Sequence, residues 1–413
     1  MILEYAFLIS FFSILFIAAW IRIRHPFWSI QPVFHTYDIW RYWIIHPSVI
    51  STMPVPHNKF LNRAKVKTRD FLDASDNEFA NVLDVIQCHY LPSDQVTFTL
   101  SAKNLQTLCT NHSSGPCWMS MYMTDHFHVK EDSTVVNVPE VAGVLIAYPV
   151  RMFLRCAIQS LSFQPIYYWD FIVMHRETGL DVGTIRTLLQ SHEANQRQST
   201  PNIPSSLFRK EVELSQGIVP LVKFTLSQFE LIKERIQRPP LSHAVQCTKV
   251  ITDTMNGLFD FLFELSTQKD LFDVCLFPDL TALEARIQAN EWHIYTLQSR
   301  DHILAVYVFR NTHIMYEEGG ELLECMVSVS FIQDEDQQKW FFAGWLHALY
   351  DLLQLKESSK SRLSITNLGH NDQLLKTYTW KYKSLNTHDA AYYFYNYVCP
   401  GMPLSPDRCW IAL

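Results

Sequence analysis

The chain has 413 residues, 48% hydrophobic and 14% aromatic, with only 18% charged and a net charge of −7. This length predicts two to three domains or one large duplicated domain, and an acidic balance without a basic block excludes nucleic acid as the main partner. The nine cysteines include no C-x-x-C pair and no zinc-like cluster with histidine, so no metal site is expected and buried thiols in a reducing compartment are.

Tyr5–Ile21 carries no charge, and with Ile2, Leu3 and Ile23 it approaches the ~20 residues of a membrane span. Arg22 and Arg24 follow and no basic residue precedes, which predicts a single-pass transmembrane helix with the body in the cytosol. A cleaved leader lacks its basic start and small-x-small site here; a buried core helix is the alternative. His25–Val33 contains Pro26 and Pro32 and reads as an extended aromatic arm. The basic stretch Lys59–Arg69 reads as a solvated linker.

Asn77–His89 and Ser101–Cys109 have helical periodicity, and Trp118–Met123, Val141–Ala147 and Tyr167–His175 read as strands. Two glycines, Gly179 and Gly183, follow the last strand and lead into a helix over 182–197. Strand, glycine loop and helix together present backbone N–H groups and a helix N-terminus to a phosphate; a packed β-loop-α connection is the plainer reading. Ser206–Glu213 and Val219–Phe224 read as short strands or turns. After Arg238-Pro-Pro the pattern restarts, with helices near Thr281–Ala289, Gln337–Leu355 and Asn371–Tyr378. Strands are predicted at Trp292–Leu297, Ile303–Arg310, Leu323–Phe331, Leu363–Asn367 and Ala391–Tyr397. The order of helix, antiparallel strands, helix and strand occurs in both halves and implies two copies of one α/β unit.

Several segments, in order, resemble the N-myristoyltransferase family. Phe27-Trp28-Ser29-Ile30-Gln31-Pro32-Val33 is similar to its aromatic-tryptophan-x-x-Gln-Pro-Val signature, and His89-Tyr90-Leu91 followed by Phe98-Thr99-Leu100-Ser101-Ala102 to an early segment. Val141–Pro149 resembles its strand ending in Gly-Ile-Pro. Asp170-Phe171-Ile172-Val173-Met174-His175 resembles its Asn-Phe-Leu-Cys-Val-His strand, and Tyr392–Pro400 its closing Tyr-Tyr-Leu-Tyr-Asn-Trp-x-Cys-Pro. Pro32–His35 and Ser206–Lys210 are similar to relatives in large DNA viruses.

The resemblance implies two fused GNAT (acyl-CoA N-acyltransferase) units behind the N-terminal helix. The expected division is an anchor at 1–24, an arm and linker at 25–70, an acyl-CoA half at 71–238 and a peptide half at 239–413. It further implies transfer of myristate from myristoyl-CoA, the co-substrate, to proteins with an N-terminal glycine. The expected oxyanion donors are the backbone amides of Phe171 and Ile172. The expected base is the terminal carboxylate of Leu413, made effective by burial of the apolar Trp410–Leu413 tail. The donor is expected to meet Phe27, Trp28, His175, Arg176, Thr178, Gly179 and Gly183. The lipid bilayer is expected as a partner through residues 2–23, in a virion or host membrane.

The loop after His175 departs from the family. Only Arg176 remains basic, while Glu177 and Asp181 are acidic, and each misplaced carboxylate costs about 1 kcal/mol against a pyrophosphate. Asp181 as a helix N-cap is the structural alternative. Three readings follow: an active, membrane-tethered N-myristoyltransferase; a catalytically impaired relative kept as a scaffold; and an acyltransferase with another donor or amine.

Overall fold

The computed structural model describes residues 2–413 except 54, 92–94, 130–134, 156–162, 177–181, 256, 259, 263–270, 301, 318–319, 333–334 and 357. In chain order the first elements are α1 (Ile2–Arg24), β1 (Ser48–Val49), β2 (Val66–Asp70), α2 (Asp76–His89), β3 (Val96–Phe98), α3 (Ala102–Cys109), β4 (Trp118–Val129), β5 (Val135–Leu154), β6 (Phe163–Met174), α4 (Val182–Ser199), β7 (Ser206–Glu211) and β8 (Val222–Ile232). They are followed by β9 (Val245–Lys249), β10 (Val274–Pro278), α5 (Leu280–Gln288), β11 (Trp292–Ser299), β12 (His302–Tyr316), β13 (Glu321–Ser330), α6 (Glu335–Gln354), β14 (Lys360–Thr366), α7 (Asn371–Lys381), β15 (Asn386–Tyr395), β16 (Tyr397–Val398) and β17 (Cys409–Ile411).

Among the described residues, 15 strands form one sheet whose main path runs β17-β10-β5-β6-β7-β15-β8-β14-β13-β12-β11-β9. The long β5 pairs β4 through its first half and β10 through its last residues. Two strand–helix–strand steps return parallel, β6–α4–β7 and β13–α6–β14, because a parallel partner needs a crossover to carry the chain back. α2 starts on a capping box in which Ser75 and Glu78 satisfy each other's backbone N–H groups, and buries Val82, Val85 and Ile86. Its acidic start and apolar stripe were legible in the sequence.

The pairing of β6 with β7 covers only Tyr167↔Ser206 to Trp169↔Phe208. Beyond that point β6 runs on through Asp170–Met174 without β7, so the sheet opens as a wedge. On its other side the β5–β6 register passes from Ile146↔Asp170 to Val144↔Val173. Phe171 and Ile172 therefore share the span opposite Leu145, a bulge, and Phe171 takes a left-handed φ of 43°. A bulky residue there costs ~1–3 kcal/mol of strain, which is retained at functional sites.

Several expectations need correction. Residues 2–24 do form one helix, but among the described residues no helix is long and apolar enough to cross a membrane. The single-pass arrangement with a cytosolic body, and the bilayer partner through residues 2–23, do not hold. Glu4 near its start and Arg22 and Arg24 in its last turn confine the uncharged stretch of α1 to Tyr5–Ile21, short of the ~20 residues of a span. The end of α1 packs on the body instead. Ile21 lies 2.9 Å from where a Cβ on Gly217 would stand, at φ +82°, so a side chain at 217 displaces the helix. Arg22 stands 5.5 Å from the Tyr37 ring centre. The arm at 25–33 is not extended throughout: Trp28–Ile30 form a 3-10 turn stacked on the body. β9 and β10 were absent from the sequence reading; β10 (Val-Cys-Leu-Phe-Pro) is buried on both faces and shows no alternation, and β9 is only five residues long.

Candidate active site

The wedge opens into a cavity of about 1730 Å³ lined by Phe27, Trp28, Asp170, Phe171, Ile172 and Leu413, among others. Each arrives for a local reason. Phe27 is 2% exposed and meets Trp28 and Phe60 edge-on at 5.0 and 5.2 Å, while Trp28 stacks on Phe208 at 5.6 Å. These contacts pin the arm over the sheet. α4 turns Ile185, Arg186 and Leu189 to the cavity, and the Arg186 guanidinium stands over the Phe27 and Phe60 rings at 6.0 and 5.9 Å. The other face of α4 holds buried polar groups. His192 bonds Ser120 and Gln196, and burial pulls its pKa down to about 3. Glu193 and Arg197 pair with each other, and burial holds the Glu193 carboxyl up at about 7 against that partner. Both residues are structural.

The tail ends inside the protein. β17 runs parallel to β10, the Ala412 N–H donates to the Leu276 carbonyl at 2.9 Å, and Trp410 to Leu413 are 1–2% exposed. Arg310 Nη1 donates to the Leu413 oxygen at 2.8 Å. Arg310 also binds Glu324, with Nε to Oε2 at 2.7 Å. Glu324 takes Arg209 on its other oxygen at 3.2 Å, and Arg209 reaches Glu211 at 2.7 Å. Burial opposes charge on Glu324, but Arg310 and Arg209 prevail and hold its carboxyl below the ordinary value. This chain of paired charges along β7, β12 and β13 ends on the Leu413 oxygen and fixes its position.

The bulge carries a detail absent from the sequence reading. The Phe171 N–H donates to the Asp170 carboxylate, its own neighbour, at 2.9 Å, and the Tyr148 hydroxyl donates to the other oxygen at 3.3 Å. Burial pushes the Asp170 carboxyl above its ordinary range, against the pull of Arg310 and that backbone N–H.

Of the residues expected to contact a donor or carry chemistry, Phe27, Trp28, Phe171, Ile172 and Leu413 meet in one cavity. His175, Arg176 and Gly183 are not part of its lining. The His175 N–H bonds the Ala142 carbonyl and its ring meets His89 at 4.1 Å. Arg176 donates to the Leu91 carbonyl at 2.9 Å, and the Gly183 carbonyl accepts from Thr187. Thr178 and Gly179 lie outside the described residues. Arg186, Arg209, Arg310 and Glu324 were missed. Arg310 and Glu324 sit in largely apolar strands and Arg209 at a strand end, and the sheet register brings these three together, while Arg186 reaches the cavity from α4.

A wedge between two parallel strands, bulged at its mouth and closed by a buried chain end, belongs to a mixed α/β fold. No protein-family model matches the sequence, and no curated protein matches it. The folded chain is similar to N-myristoyltransferase of Saccharomyces cerevisiae solved with bound myristoyl-CoA, at 12% identity and a TM-score of 0.65, covering 94% of this chain and 94% of that one. A second structure of that enzyme, with myristoyl-CoA and inhibitors, gives 12% identity and 0.65 over 93% of each chain. The protein therefore has the N-myristoyltransferase fold.

Proposed function

We propose that the protein is an N-acyltransferase that moves myristate from myristoyl-CoA to the amine of an N-terminal glycine. The observation that carries this reading is that Phe171, Ile172 and Leu413 line the same cavity. The glycine ammonium gives a proton to the Leu413 carboxylate, and the free amine attacks the thioester carbon. The C–N bond forms while charge gathers on the carbonyl oxygen, where backbone N–H groups of the bulge stabilise it. The C–S bond then breaks, the nitrogen loses its second proton, and CoA leaves as the thiol. Arg310 holds the Leu413 carboxylate in one orientation, which proton transfer requires.

The test mixes the full chain with myristoyl-CoA and a glycine-led peptide and reads acylated peptide by mass. A second protein carries one extra residue after Leu413. Transfer that vanishes on extension is the expected result. The Asp170 carboxylate on the Phe171 N–H, with Glu177 and Asp181 in the phosphate loop, favours a second reading, a catalytically impaired relative with a scaffold role. No transfer by either protein, with the fold intact and no CoA bound, selects that reading.

A further inference from the structure

Arg286 on α5 is 1% exposed and lines the cavity together with Asn104, Leu108, Tyr148, Glu291 and Trp292. Its guanidinium is covered by the Tyr148 ring at 5.0 Å and the Trp292 ring at 5.3 Å. Rings satisfy the faces of a guanidinium. Tyr148 also makes a side-chain hydrogen bond to the group, which leaves the edge formed by Nε and Nη2. Nε and Nη2 are buried and have no hydrogen-bond partner. Those two nitrogens form one edge of the group, the fork that matches two oxygens of a single acceptor. A buried charge with an unfilled fork costs several kcal/mol unless an acceptor arrives.

We propose that Arg286 is the receptor for one carboxylate on the acceptor, the acidic side chain of a bound peptide, held two oxygens to two nitrogens at the inner wall of the cavity. This rests on the acyl-transfer reading for the identity of the ligand, but not for the site itself. The charges nearby favour a monoanion. His112, stacked on Tyr148 at 5.4 Å, is kept neutral because burial and the Arg286 charge lower its pKa to about 4. Burial raises the carboxyls of Glu291, to about 7, and of Asp170, so they offset Arg286 only in part. One guanidinium matches one carboxylate. A phosphate dianion would leave a charge unmatched beside Asp170 and Glu291.

The test uses the full chain and two probes of equal shape, butyrate and butyramide, followed by saturation-transfer NMR. Butyrate is expected to bind saturably and butyramide not to, with Arg286→Gln weakening butyrate at least tenfold. Equal binding of the two probes by the native protein, a comparison that needs no variant, overturns the proposal. So does butyrate binding unchanged in Arg286→Gln. A second arm scans Asp against Asn through positions 2–6 of a glycine-led hexapeptide by calorimetry. A tenfold preference for Asp at one position, lost in Arg286→Gln, is the expected result. Butyrate bound at Arg286 with no peptide bound leaves the site standing and removes the acceptor reading. Peptides acylated without regard to Asp or Asn leave acyl transfer standing and overturn the carboxylate receptor.

Discussion

Asp170 accepts a hydrogen bond from the Phe171 N–H, the donor on which the proposed acyl transfer depends. A carboxylate there competes with a developing oxyanion and repels it, whereas an amide carries no charge and can turn its NH2 to the oxyanion. Asp170→Asn is therefore expected to raise kcat about tenfold, about 1.4 kcal/mol and so roughly half of what one oxyanion donor is worth, with the donor KM little changed. A kcat that stays level or falls in that variant shows that the carboxylate does not obstruct the bulge. Glu291 gives a pH signature. Its carboxyl is raised by burial from 4.5 to about 7, against the Arg286 charge, so between those values the folded chain holds a proton that the unfolded chain has released. Stability contributed by this site is full below about 4.5, falls as pH rises and levels off above about 7. The loss is ~3 kcal/mol at about 1.4 kcal/mol per unit. Urea unfolding from pH 4.5 to 8 is expected to show Glu291→Gln gaining on the native protein as pH rises, and a constant difference across that range contradicts the assignment.

The elements that matter most are the bulge in β6 and the terminal strand β17. β17 has a strand partner only in β10 among the described residues and is held by side chains. Trp410, 1% exposed, packs against Phe272 at 5.9 Å. Trp410→Ala is expected to cost about 3–5 kcal/mol and to release the tail, so that transfer drops far more than donor binding does. Denaturant unfolding and the peptide assay, run side by side, check both halves of that statement. Equal activity with reduced stability would place the chemistry elsewhere than at Leu413. The apolar tail was legible in the sequence as a buried end. Its pairing was not, because β10 lies more than a hundred residues upstream and carries no alternation to announce it.

The whole sheet is interleaved. β15 lies between β7 and β8, pairing both, and β10 covers the end of β5. Residues 25–238 expressed alone would leave long apolar strand edges unpaired, which drives aggregation. Co-expression with 239–413 is expected to restore soluble protein with one unfolding transition. Soluble, cooperatively folding 25–238 by itself would show that the halves are independent.

Periodicity and local chemistry sufficed for the helices, most strands, the ordered aromatic segments and the apolar tail, because these depend on residues near one another in the chain. Phe171, Ile172 and Leu413 were placed by their resemblance to a known pattern, and the fold brings all three to one cavity. What no local pattern carried was the wedge between β6 and β7, the charge chain from Glu211 to Leu413, and the open fork of Arg286. These depend on register between strands far apart in sequence. A one-residue slip moves every side chain to the other face, and the meeting of Arg209, Glu324 and Arg310 exists only when three strands are in place. The N-terminal helix marks the opposite limit: its apolar run is plain in the sequence, yet the packing of Ile21 on Gly217 and of Arg22 on Tyr37 decides what its last turn does.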